Sequence, residues 1–148
     1  MNPRISRSSN LLLVAGLFVL TIGFAQASDL SHLSGSYKVV HKTDLGPQTR
    51  IRLQLHLANH GERDLHVQRL TLWGSSHPRK SATEACSLVV RTGASASTTQ
   101  EFMIPSSEYR LWSRGEHVRL LVAVESPGGR KAIEELVRLD RISGGKEN

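Results

Sequence analysis

Histidine is the residue with the clearest chemical potential in this sequence, because the chain has seven histidines and three of them lie within one short stretch. If residues 50–67 formed a simple hairpin, His56 and His66 would lie opposite each other on its outer face, close to His60 in the turn. Imidazoles about 5 Å apart can share a Cu(II), Ni(II) or Zn(II) ion. The sequence therefore presents His56, His60 and His66 as a candidate metal site.

Two observations weaken this metal site. In a β-sandwich, the two strands that flank such a turn often belong to different sheets, which would separate His56 from His66. The sequence also places no carboxylate, Cys or Met compellingly enough to complete the ligand set. Three solvated histidines are the simpler interpretation, so we expect no cofactor and keep Cu or Zn binding as the alternative.

Signatures of catalysis are absent from the sequence. It contains no glycine-flanked serine of the nucleophile-elbow kind, no paired-histidine zinc helix, no phosphate loop and no dinucleotide fingerprint. Glu134 and Glu135 are adjacent, and neighbouring residues on a strand point to opposite faces, so they cannot act on one bond and are predicted to be solvated. Cys86 has no partner for a disulfide and precedes apolar residues, which predicts a small buried side chain. We therefore expect a protein that is not an enzyme.

The N-terminus has the features of a cleavable signal peptide over residues 1–27. Arg4 and Arg7 precede an apolar run of 14 residues, and small residues at Ala25 and Ala27 fit the positions that a signal peptidase reads. A membrane helix needs about 20 residues, so the run is short for a retained anchor. We predict a periplasmic or secreted product with no stable membrane span, a single domain over residues 28–142 and a flexible tail over 143–148.

The charge pattern argues against a nucleic-acid partner. The mature chain would have a formal charge of +4, because the signal peptide removes two arginines. Its Lys and Arg residues are scattered rather than clustered, and few aromatic residues are available to stack on bases. A protein of the envelope or the extracellular space is the expected partner.

The stretch from Arg50 to Trp73 has the cleanest periodicity in the chain. Alternating apolar residues over 51–57 predict a half-buried strand, and residues 59–64 predict a turn. The next strand, 65–72, changes the phase of its apolar residues, which predicts a bulge or a twist near Gln68 and Arg69. We interpret the two strands as contributing to the cores of two different sheets.

The remaining segments predict five more strands and little helix. Residues 81–85 and a segment capped by Ser106 and running through Trp112 are predicted as helical turns, with Tyr109 and Trp112 closing one end of the core. Residues 94–99 are predicted to be a surface connection. Residues 131–141 fit either a helix or a strand, and the strand is favoured because residues 118–125 need a closing partner. The predicted strands fall near residues 37–42, 51–57, 65–72, 87–91, 102–104, 118–125 and 131–141.

Seven short strands separated by turns predict an all-β chain, folded as a single immunoglobulin-like sandwich. The strand that ends in Asn59 and Gly61 and the final hairpin around Gly128 and Gly129 resemble the fibronectin type III-like and immunoglobulin-like domains of bacterial exported proteins. The sequence departs from antibody-type domains in lacking paired cysteines. The resemblance implies adhesion, assembly or substrate positioning. We therefore expect a non-catalytic exported binding module, with a histidine-based periplasmic metal-binding protein as the alternative.

Overall fold

The described part of the chain is all-β, with one short helix. The computed structural model describes residues 33–74, 80–129 and 131–142, so the predicted signal peptide 1–27 and tail 143–148 lie outside the described residues. The elements in chain order are β1 (Leu33–Leu45), β2 (Gln48–Asn59), β3 (Leu65–Trp73), β4 (Lys80–Val90), β5 (Ser95–Pro105), α1 (Ser106–Ser113), β6 (Val118–Glu125) and β7 (Ala132–Arg141). No described helix has the length and apolar character needed to cross a membrane.

All seven strands belong to one mixed sheet with the order β4-β3-β6-β7-β1-β2-β5. Neighbouring strands are antiparallel except β1 and β7, which pair in parallel over only three residue pairs, from Gly35 with Leu139 to Tyr37 with Arg141. The outer strands β4 and β5 approach each other, so the sheet is nearly closed. The two separate sheets expected from the sequence are thus joined by hydrogen bonds through β1 and β7.

The core lies inside this nearly closed sheet and is supplied by the alternating apolar residues. Ile51, Leu53, Leu55 and Leu57 of β2 are completely buried, whereas their sequence neighbours face outward. The same alternation places Val118, Leu120 and Val122 of β6 in the core. Each such side chain stabilises the fold by about 1.5–3 kcal/mol relative to exposure. The prediction of a half-buried strand over residues 51–57 is confirmed.

A bulge in β3 reconciles its two apolar phases. The register of β3 shifts between Val67 and Arg69 against both neighbours, β4 and β6. One extra residue at this point lets Val67, Leu70 and Leu72 all face the core, where at most 2% of each side chain is exposed. The bulge predicted from the phase change is therefore confirmed at its expected place.

Strands replace two segments that the sequence assigned otherwise. Residues 81–85, predicted as a helical turn, belong to β4, and residues 95–99, predicted as a surface connection, open β5. The small polar residues of β5 give no apolar periodicity, but their backbones pair with β2 from Ser95 onward. The pairing with β2, a strongly apolar strand, therefore makes residues 95–99 part of a strand. The segment 131–141, whose type was open, is the strand β7.

Helix α1 closes one end of the core. Trp112 is 3% exposed, its Nε1 donates a hydrogen bond to Glu108 at 3.1 Å, and the Tyr109 ring lies 6.3 Å away. The predicted aromatic closure is therefore confirmed. The predicted cap is wrong, because Pro105 is the N-cap residue and Ser106 is already helical. The Ser106 hydroxyl instead donates to the carbonyl of Gly46 at 2.7 Å.

Candidate functional site

The predicted histidine cluster does not assemble around a hairpin. Strand β2 pairs with β1 and β5, whereas β3 pairs with β4 and β6, so His56 and His66 are not opposite each other. Their strands were expected to lie in two different sheets, whereas the structure places them at non-neighbouring positions of one mixed sheet. The histidine pairing that the hairpin required is absent because the chain leaves β2 and crosses to a distant strand position.

Each of the three histidines has its own surroundings. The Nδ1 atom of His56 lies 2.6 Å from Ser97 Oγ, and the Nε2 atom of His60 lies 2.9 Å from Ser34 Oγ. His66 is exposed and pairs across the sheet with Val89. Among residues 33–74, 80–129 and 131–142, no group of three or more His, Cys, Asp or Glu side chains is arranged to hold a metal ion.

A groove of about 280 Å³ is the strongest candidate binding site at the end of the sheet where β2 leads into β3. We call it the loop-end groove. It brings the β2–β3 loop together with the β6–β7 turn, which the sequence analysis did not connect. Its lining residues are His60, Gly61, Glu62, Arg63, Asp64, Leu65, Val124, Glu125, Pro127 and Ile133.

Asn59 holds the loop that forms one wall of this groove. Its side chain is 2% exposed, and its Nδ2 donates to the carbonyls of Arg63 at 2.6 Å and Val90 at 3.1 Å. Its Oδ1 accepts the backbone N–H of Gly61 at 2.9 Å. A buried amide with three hydrogen bonds fixes the loop, because breaking any of them would leave a polar group unsatisfied.

Asp64 ties the same loop to the turn after β4. Its Oδ1 accepts hydrogen bonds from the Thr92 backbone N–H at 2.8 Å and from the Thr92 hydroxyl at 3.2 Å. The backbone hydrogen bond is the main cause that lowers the pKa of Asp64 below its usual value. The carboxylate therefore keeps its negative charge at the groove down to lower pH than a free aspartate would.

The groove combines an apolar floor with an acidic rim. Leu65 and Ile133 supply apolar surface, while the exposed carboxylates of Glu62 and Glu125 lie beside it together with one exposed guanidinium, that of Arg63. Such a surface suits a ligand with an aliphatic body and a cationic head, since the body can cover the floor while the head meets the carboxylates.

Glu135 was predicted to be solvated, but its carboxyl is half-buried, with one oxygen inaccessible to water. It lies two residues beyond Ile133 on the same face of β7, where it pairs with the buried Val122. Its Oε2 is inaccessible to water and has no hydrogen-bond partner among the described residues. Burial raises the pKa of Glu135 to about 7. The sequence signal that could have indicated this position was the two-residue spacing, which puts Glu135 in one row with Ile133, Val137 and Leu139.

Glu134 behaves as predicted. It points to the outer face, opposite to Glu135, and its Oε1 lies 2.7 Å from the Arg69 guanidinium. Arg69 and Glu134 both pair with Ala123, so their ion pair crosses over this alanine, which is 2% exposed although it faces outward. Glu134 and Glu135 thus point to opposite faces of β7. The first carboxylate pairs with an arginine, and the second has one buried oxygen without a partner among the described residues.

Cys86 is half-buried on β4 and packs against the core. Burial raises the pKa of its thiol, although hydrogen bonds with Thr98 and Gln100 act in the opposite direction. A thiol with a raised pKa is a poor nucleophile at neutral pH. Its contribution is packing, in line with the prediction from its apolar sequence context.

Comparisons with known proteins identify no relative that assigns a function. No protein family matches the sequence, and no curated protein matches it. A protein from Archaeoglobus fulgidus known from a crystal structure is 18% identical, with a TM-score of 0.38 over 72% of this chain and 89% of that one. The X-ray structure of Northeast Structural Genomics Consortium target SoR45 is 10% identical, with a TM-score of 0.39 over 78% of this chain and 89% of that one.

Proposed function

We propose that this protein is a non-catalytic binding module exported to the bacterial cell envelope, and that its ligand is a basic group of an envelope or extracellular protein. The observation that carries the proposal is the loop-end groove, with its apolar floor and its exposed carboxylates. Loops at the end of a β-framework are frequent binding sites, because the rigid strands position them.

An immunoglobulin-like sandwich is the architecture that we propose for this framework. The sheet order divides at the short parallel join into two antiparallel groups, β4-β3-β6-β7 and β1-β2-β5. A division of four and three strands is typical of seven-stranded immunoglobulin-like domains, in which loops at one end bind ligands. The loop-end groove occupies an end of the strands in the same manner.

The partner's chemistry follows from the groove. A lysine or arginine side chain presents an aliphatic stem and a cationic head, which match Leu65 and Ile133 on the floor and Glu62 and Glu125 on the rim. A short lysine-containing peptide is the direct probe, and the same peptide with glutamate in place of lysine is its control. We expect the lysine peptide alone to shift the backbone NMR signals of floor residues.

Variants distinguish this groove from general surface attraction. Glu125→Gln removes a rim carboxylate, whereas Glu116→Gln removes an exposed carboxylate outside the groove. We expect the first to weaken lysine-peptide binding by about three- to tenfold, since a partly exposed charge pair is modest, and the second to leave it unchanged. Equal weakening in both variants, or equal binding of the glutamate peptide, would overturn the proposed recognition.

Export is tested separately by processing. When the full chain is produced in a bacterial host, mass spectrometry of the periplasmic fraction should find a protein that begins at Ser28. A cytoplasmic protein that retains residues 1–27 would contradict the export proposal and leave the groove proposal standing. Cross-linking in cell envelopes should then trap one specific protein partner.

The histidine-based metal function remains a prediction from the sequence. Calorimetric titration with Cu(II) and with Zn(II) tests it, beside a His56→Ala, His66→Ala double variant. Sub-micromolar binding that this variant loses would replace the binding-module proposal with metal binding. Weak binding that persists in the variant would remove these two histidines as ligands.

A further inference from the structure

A second groove lies at the opposite end of β2 from the loop-end groove, beside helix α1. We call it the helix-end groove, and its volume is about 540 Å³. Strand β2 begins beside it at Gln48 and ends at Asn59 beside the other groove, so the two sites are separated by the length of this strand. Its lining residues are Lys42, Asp44, Gly46, Thr49, Ser106, Tyr109, Arg110, Ser113 and Arg141.

The helix-end groove is electropositive, in contrast to the loop-end groove. Lys42 from β1, Arg110 from α1 and Arg141 from β7 line it, against one acidic residue, Asp44. Lys42 Nζ lies 3.2 Å from Asp44 Oδ2, which balances that carboxylate, and 5.1 Å from the centroid of the Tyr109 ring. With three basic residues and one acidic residue, the lining of the groove has a formal charge of +2.

Hydrogen bonds hold the walls of this groove in place. The hydroxyls of Thr49 and Ser106 lie 2.9 Å apart, and Thr49 donates to Asp44 Oδ1 at 3.2 Å. The Ser113 hydroxyl donates to the carbonyl of Arg110 at 2.8 Å. Thr49 is 1% exposed, so this network connects the groove to the folded core rather than to a loose surface.

We propose that the helix-end groove binds a phosphate group, carried either on a lipid headgroup or on a soluble compound. A guanidinium offers several N–H donors in a planar fork that fits phosphate oxygens, and donors from separate elements can reach a tetrahedral oxyanion from different sides. The groove volume of about 540 Å³ is sufficient for a phosphate group. This inference is independent of the proposed recognition of basic groups at the other end of the domain.

The test measures binding of phosphate-containing probes to the mature chain and its variants. Arg110→Gln removes one guanidinium from the groove, and Lys38→Gln removes one positive charge from an exposed site on β1 outside it. We expect inorganic phosphate, followed by NMR, to bind the Arg110→Gln variant about tenfold more weakly or worse, because a charge-assisted hydrogen bond is lost. The Lys38→Gln variant should bind phosphate like the unmodified protein. The affinity of Arg110→Lys should lie between those of Arg110→Gln and the unmodified protein.

A second set of binding measurements identifies the source of the phosphate. Vesicles of phosphatidylcholine with and without phosphatidylglycerol are offered to the same proteins, and free phosphate is added as competitor. Binding only to the anionic vesicles, reversed by phosphate and weakened by Arg110→Gln, assigns a lipid headgroup. Binding of free phosphate without vesicle binding assigns a soluble phosphate compound.

Two results would overturn the phosphate site. One is equal affinity in the unmodified, Arg110→Gln and Lys38→Gln proteins. The other is equal weakening in Arg110→Gln and Lys38→Gln, which would indicate attraction to net charge alone. Arg110 is exposed on α1, so its substitution should preserve the fold, and circular dichroism checks this for every variant.

Discussion

Glu135 makes the stability of this protein depend on pH in a direction that can be measured. Its carboxyl faces the core of β7, and Oε2 is buried without a hydrogen-bond partner among the described residues. The informative substitution is Glu135→Gln, because the amide has nearly the same shape and carries no charge at any pH. Its effect isolates the cost of ionising the carboxyl in this environment.

The sign and the size of the effect follow from the raised pKa of Glu135. Burial moves its pKa from 4.5 to about 7, so between these values the folded state holds the proton more tightly than the unfolded chain. The stabilisation that the protonated Glu135 carboxyl provides is therefore fully present below pH 4.5 and is lost as the pH rises through about 7. The full difference corresponds to about 3 kcal/mol. Because the side chain is only half-buried, solvent screening reduces the expected loss to about 1 kcal/mol.

Urea denaturation at several pH values between 5 and 8 measures this loss. We expect Glu135→Gln to gain about 1 kcal/mol in the free energy of unfolding relative to the unmodified protein as the pH rises across this range. Taking the difference between the two proteins cancels the titration of the seven histidines. Glu134→Gln is the matched control, because its neighbouring carboxylate faces outward and should give no such gain. Parallel pH profiles for Glu135→Gln and the unmodified protein would refute the reasoning.

Two further substitutions test the parts of the fold that hold the strands and the loop. Gly35→Ala would place Cβ 2.5 Å from Leu139 Cδ2 at the join of β1 and β7, so we expect a loss of about 1–3 kcal/mol in thermal unfolding. Gly128→Ala, whose Cβ would meet nothing within 4 Å, should be nearly neutral. Asn59→Ala removes hydrogen bonds to buried backbone, including the carbonyl of Val90, and should cost about 2–4 kcal/mol in urea denaturation. An unchanged urea midpoint would show that Asn59 does not hold the loop.

Local patterns were sufficient to predict most of the fold. The alternation over Ile51–Leu57 and over Val118–Val124 depends only on the two-residue period of a strand, and both segments lie in the core. The bulge between Val67 and Arg69 followed from the same period, because a change of apolar phase within one buried strand requires an inserted residue. These predictions succeeded because the cause lies within a few neighbouring residues.

Pairing between strands that are distant in the sequence determined the features that local patterns could not predict. The opening of β5 is a run of small polar residues that becomes a strand because β2 offers backbone partners from Ala58 onward. The parallel join of β1 and β7 brings the two ends of the described chain together, and no local pattern predicts it. The two grooves depend on such joins, since the loop-end groove needs Asp64 beside Pro127 and the helix-end groove needs Lys42 beside Arg141.

Glu135 shows how a correct local rule can lead to an incomplete conclusion. Adjacent strand residues do point to opposite faces, and Glu134 and Glu135 do so. This rule excludes joint catalysis by the pair, but it also requires that one of the two carboxylates faces the core whenever the other faces solvent. Since Val137 and Leu139 are buried on one face of β7, Glu135 had to be the inward one. A half-buried carboxyl beside these apolar residues is therefore predictable once the last element is taken as a strand, and its titration tests that assignment directly.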